Sequence, residues 1–128
     1  MQSYTEEELA QAFHLMWDNY PEQVRLIRRD HTIVAGNALY LEMGGKTGGK
    51  CSEGPPEFHK GCRAMEALKD GKAKSVKHEP GEFESFWIPV AGTEDYYIHY
   101  TNGADAAYRR MLEQGFQPQS RRRPKGFD

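Results

Sequence analysis

The stretch FESFWIPVAGTEDYYIHYTNG, residues 83–103, decides the fold. Phe83, Ser85 and Trp87 alternate with Phe86, Ile88 and Val90, and Tyr96, Ile98 and Tyr100 alternate with Tyr97, His99 and Thr101. A period of two is the signature of strands whose faces meet different surroundings. The intervening AGTED has hairpin length, which makes the strands antiparallel neighbours.

Upstream, QVRLIRRDHTIVAGN (residues 23–37) reads as two more strands joined by a tight turn at Arg29, Asp30 and His31. AKSVKHEP (73–80) is amphipathic and predicts a further strand that stops at Pro80 and Gly81. Helical segments separate these strands. TEEELAQAFHLMWDNYP begins with a capping box, Thr5 and Glu8, and ends at Pro21. Its Leu9, Phe13, Met16, Trp17 and Tyr20 form one apolar stripe, to be covered by the protein's own sheet or by a second copy of the chain. ALYLEMGG is a short helix terminated by Gly44 and Gly45. CRAMEALKDGK is another, with Met65 and Leu68 one turn apart and Gly71 as its stop. ADAAYRRMLEQGF predicts a closing helix, and QPQSRRRPKGFD (117–128) is too polar and proline-interrupted to pack. Helix, two strands, short helices, three strands, helix is an α+β order in which antiparallel strands dominate. Residues 1–117 are expected to form a single domain and 118–128 a disordered basic tail.

Composition narrows the functional classes. A chain of 128 residues buries enough surface to fold without disulfides or metal. A net charge of -2 creates no field that gathers nucleic acid or anionic membranes, and the SRRRPK tail is read as a solvated end. No run approaches the ~20 apolar residues of a membrane span. The acidic, polar start is unlike a signal peptide, so a cytoplasmic location with reduced thiols is expected.

Several of these segments together resemble the PAS domain family over about residues 24–102. VRLIRRDHTIVAGN looks like the paired opening strands, with a short acidic turn and a run ending in Asn37. GKC…GCRAMEALKDGK resembles the middle segment of a PAS subgroup with cysteines before and at the start of the long central helix. FESFWIPVAGTEDYYIHYTNG looks like the last two strands, with an aromatic-proline pair and a hairpin back. The resemblance implies a five-stranded antiparallel sheet with short helices on one face, a ligand pocket between them, and N-terminal and C-terminal flanking helices. It also implies a sensory or dimerisation module. PAS domains are usually wired to a kinase, cyclase or DNA-binding domain, and none fits in the residues left over here. The expectation is a stand-alone, non-enzymatic, homodimeric module, or one domain of a longer chain. The dimer is expected through the N-terminal helix.

Two groups of residues are candidates for a site. Phe83, Trp87, Tyr97 and His99 can line a ligand pocket between sheet and helices, or simply fill that space. Cys51, His59 and Cys62 are all metal-ligand types, and HKGC gives the last two a ligand-x-x-ligand spacing. Related PAS segments often carry Cys-x-x-Cys at this place, where this chain has His59. Three donors fall short of the four of a structural zinc or an iron-sulfur cluster. A redox pair would need Cys51 and Cys62 within ~7 Å at Cα. The competing expectation, favoured here, is that Cys62 is buried on a helix face and Cys51 begins a turn. GGKTGGK lacks the full phosphate-loop pattern, since Lys50 is followed by Cys51. His78, Glu79 and Glu82 show no catalytic partner, and no cofactor can be named from the residues.

Overall fold

A computed structural model describes residues 4–51, 62–78, 83–103 and 113–115. The elements run α1 (Glu6–Trp17), β1 (Val24–Arg28), β2 (Ile33–Gly36), α2 (Ala38–Glu42), α3 (Ala64–Asp70), β3 (Lys74–His78), β4 (Phe83–Pro89) and β5 (Tyr96–Asn102). Five strands form one antiparallel sheet in the order β2-β1-β5-β4-β3, so β1, β5 and β4 are central. The fold is therefore α+β with an open antiparallel sheet. The predicted closing helix and the basic tail fall almost wholly outside the described residues. Among those described, no helix is long and apolar enough to cross a membrane.

Each face of the sheet carries its own core. On one face, Leu9 and Phe13 of α1 pack on Val24, Leu26, Ala35, Tyr96 and Ile98. Thr5 caps α1 reciprocally with Glu8, at 3.0 Å for Glu8 N to Thr5 Oγ1 and 2.8 Å for Thr5 N to Glu8 Oε1. Glu6 in the first turn then accepts from Arg28 Nη1 at 3.0 Å and from Tyr96 Oη at 2.9 Å, tying the helix start to β1 and β5. At the other end Trp17, Tyr20, Tyr100 and Phe86 form an aromatic cluster with ring centroids 5.2–5.7 Å apart. The stripe of α1 is thus largely spent on the chain's own sheet. Met16 departs from it: that side chain is 70% exposed, beside Leu15 at 89%.

On the opposite face, Ala64, Ala67 and Leu68 of α3 pack on Ile27, Ile33, Trp87 and Tyr97, with Tyr40 of α2, Val76 and Cys51 at the margin. Two alanines at the contact let α3 approach the large rings closely. Met65, expected to share the buried side with Leu68, is instead 42% exposed. The buried side of this short helix is set by Ala64 and Ala67, which an apolar-size pattern passes over. The close approach recurs at Gly36, where a Cβ would stand 2.0 Å from the Tyr40 ring.

The turns follow the sequence reading. His31 has φ 74°, and its N–H donates to Arg28 O at 2.7 Å to close the β1–β2 turn. Asp30 accepts from the Arg28 guanidinium and from Thr32 N, which holds its carboxyl below the usual range. Arg29 Nε meets Asp95 at 3.0 Å and Arg29 Nη2 donates to Glu94 O, so the two hairpin turns at this end of the sheet brace each other.

Candidate ligand face and thiol cluster

Strand register places the predicted pocket residues. Trp87 on β4 pairs directly with His99 on β5, and His99 pairs with Arg25 on β1, so the three form one cross-strand row on the α3 face. Tyr97 lies two residues before His99 on that face, opposite Ile27. Phe83 has the same parity but sits at the far end of β4, opposite His78 and half-buried. The structure thus groups Trp87, Tyr97 and His99, with Phe83 at a distance along the strand.

Within the row, the Trp87 and His99 rings stack at 4.9 Å with planes 11° apart. His99 Nδ1 lies 2.9 Å from the carbonyl oxygen of Phe86, so it donates there and carries the ring hydrogen. In the neutral ring this makes Nε2 the acceptor. One step along the strands, Ser85 and Thr101 pair across β4 and β5 through a 2.7 Å hydroxyl–hydroxyl hydrogen bond, at 2% and 4% exposure. Arg25, Ser85 and Thr101 extend the predicted set. The last two stand in the strand alternation, whereas no sequence signal singles out Arg25 between Val24 and Leu26.

Tyr97 is 1% exposed, and burial first of all pushes its hydroxyl pKa well up, with the Cys51 and Cys62 charges adding to the effect. Below its ordinary value of 10.0 the hydroxyl is neutral in folded and unfolded chains alike. Above it, the unfolded chain loses a proton that the folded chain keeps, so stability falls as pH rises. The expected slope from this one group is about 1.4 kcal/mol per pH unit. Tyr97→Phe should flatten the alkaline limb of the stability profile by that amount, as read by urea unfolding at a series of pH values above 10.

The second candidate group is rearranged. His59 lies outside the described residues. Cys62, expected to be buried on a helix face, is exposed, and Cys51, expected to begin a turn of little consequence, is half-buried against the α3-face core. Two placements cause this. Cys62 precedes Ala64, the first residue of α3, and so escapes the helix's buried side. Cys51 is drawn in by the isolated bridge between Thr32 and Lys50 and by its own N–H donating to His31 O at 2.9 Å. Its Sγ then lies 3.8 Å from His31 Nδ1. Burial raises the Cys51 thiol pKa, and the Arg25 guanidinium partly opposes this. Among the described residues no group of three metal-ligand side chains converges. The effects of substitution follow these positions: Cys51→Ser should cost ~1–2 kcal/mol, since it puts a hydroxyl in a mostly apolar site, and Cys62→Ser should be close to neutral. Thermal unfolding of the two reduced variants checks the order.

Neither a scan against protein-family models nor a search of curated proteins finds a match to this chain.

Proposed function

We propose that this chain is a PAS-like sensory or interaction module, non-enzymatic and cytoplasmic, which binds a small ligand on the α3 face of its sheet. The observation that carries the reading is the set of polar side chains there, buried His99, Ser85 and Thr101 with half-buried Arg25. Apolar side chains would fill a face that served only as core at least as well, because partnering these polar groups does little more than offset the cost of burying them. Here Arg25, His99, Ser85 and Thr101 share one face with Trp87 and Tyr97. Aromatic walls with a few convergent donors and acceptors are the composition of small-molecule sites. The five antiparallel strands, with α2 and α3 on one face, agree with the architecture that the PAS resemblance implies. Association with a second copy belongs to the same reading, and its surface moves from the α1 stripe, which the sheet covers, to the exposed Leu15 and Met16.

Native mass spectrometry of freshly purified protein tests the reading. The expected result is a retained small molecule that leaves on collisional activation and is lost in His99→Phe, together with a dimer that Leu15→Glu dissolves. A bare chain that also binds nothing from a cell-extract metabolite fraction would overturn the ligand reading. A monomer at high micromolar concentration would overturn the dimer.

A further inference from the structure

We infer that the half-covered aromatic platform on the α1 face binds a weakly hydrated organic cation, a methylated ammonium or a guanidinium group, with Glu84 as its counter-charge. This surface lies on the face of the sheet opposite Trp87 and His99, so the inference does not rest on the ligand reading above.

Register and ring contacts build the platform. Phe86 on β4 stands directly opposite Tyr100 on β5, and Glu84 stands opposite Asn102, one step along the same face. The Phe86 and Tyr100 rings stack with centroids 5.2 Å and planes 20° apart. Trp17 at the end of α1, and Tyr20 just beyond it, add rings whose centroids lie 5.7 and 5.5 Å from that of Tyr100. The Tyr20 hydroxyl donates to Asn102 Oδ1 at 2.9 Å, which fixes its ring beside the Glu84–Asn102 pair. Diagonal neighbours on adjacent strands are within reach of long side chains, so the Glu84 carboxylate borders the Tyr100 ring. Helix α1 lies over β1 and β2, which leaves this corner at its edge. Trp17, Tyr20, Phe86 and Tyr100 are accordingly only half-buried.

The chemistry selects the occupant. Glu84 is itself half-buried, and among the described residues its carboxylate forms no ion pair and accepts no side-chain hydrogen bond. Lys77, its register partner on β3, is exposed and does not pair with it. A carboxylate partly withdrawn from water without a cation costs free energy that a bound cation offsets. The faces of the neighbouring rings are negative and attract the same charge, Trp and Tyr more strongly than Phe. These rings touch one another and enclose no cage, so the cation rests on their outer surface against Glu84. A shallow surface cannot strip the water from a compact ammonium or a sodium ion. A guanidinium or a methylated ammonium gives up its water more readily.

The full chain is titrated at constant ionic strength with choline, with the neutral alcohol in which carbon replaces the choline nitrogen, and with N-acetyl-arginine amide. The two indole N–H signals report the result. A cation should move the Trp17 signal in a saturable way and leave Trp87 in place. The neutral alcohol should bind at least ~tenfold more weakly than choline, because it has the shape without the charge. Glu84→Gln, with its fold checked by circular dichroism, should weaken cation binding by ~threefold or more. The tighter of the two cations tells a free quaternary amine from an arginine side chain as the source. Equal binding of choline and the neutral alcohol would reduce the surface to an apolar patch and overturn the inference. Unchanged affinity in Glu84→Gln, or no saturation by either cation up to ~100 mM, would overturn it as well.

Discussion

Asn37→Ala is expected to lower the unfolding free energy by ~3–5 kcal/mol, enough to leave a domain of this size barely folded. Asn37 is fully buried, at 0% exposure, and its amide joins three elements. Oδ1 accepts from Val24 N at 3.0 Å and from Tyr40 N at 3.1 Å, so one oxygen opens β1 and caps α2. Nδ2 donates to Trp17 O at 3.0 Å and Glu22 O at 2.9 Å, with Tyr20 O at 3.4 Å, holding the chain between α1 and β1. Alanine removes the amide and strands these backbone groups away from water, where each unsatisfied group costs ~1–3 kcal/mol. Asn37→Asp preserves the shape but presents a second oxygen to the carbonyls, and it should be at least as damaging at neutral pH. Urea unfolding followed by circular dichroism measures both. A loss under 1 kcal/mol in Asn37→Ala would mean that the three elements are held by other contacts.

Phe13→Ala is expected to cost ~3–5 kcal/mol, the range for deleting a buried aromatic ring and leaving a cavity. Phe13 is 2% exposed, enclosed with Leu9 among Val24, Leu26 and Ile98. Leu15→Glu and Met16→Glu, on the exposed side of the same helix, should change stability by less than about 0.5 kcal/mol. The contrast separates two roles of α1. Its buried side is a structural layer of the domain, and only its exposed side is available to a partner. Sedimentation of the glutamate variants reports on that second role without the confusion of unfolding.

How far the sequence could be read depends on how local the cause was. Alternation from Phe83 to Thr101 marked the two strands and sorted their residues by side, because strand parity is a property of neighbouring residues. The Thr5–Glu8 capping box and the His31 turn were legible for the same reason. Exposure of Cys62 and burial of Cys51 were not, since they follow from where α3 begins and from a bridge between Thr32 and Lys50, eighteen positions apart. Arg25 was passed over because a charge in a short strand ordinarily faces water, whereas β1 is covered on both faces. The α1 stripe was legible as a stripe, but its partner was not. Periodicity says that a face is buried and is silent on whether the cover is the same chain or another copy.

The central claim, that the α3 face of the sheet binds a small ligand, is tested most directly by the two indole N–H signals of the protein in a proton–nitrogen correlation spectrum. The chain has two tryptophans, and the fold puts them on opposite faces: Trp87 stacks on His99, and Trp17 packs with Tyr20 and Tyr100 beside α1. Each spectrum therefore carries its own control. Titration with small aromatic and carboxylate-bearing compounds should move the Trp87 signal in a saturable way and leave Trp17 in place, and His99→Phe should abolish the response. Binders that shift Trp17 alone, or a Trp87 signal that no compound moves, would contradict the account.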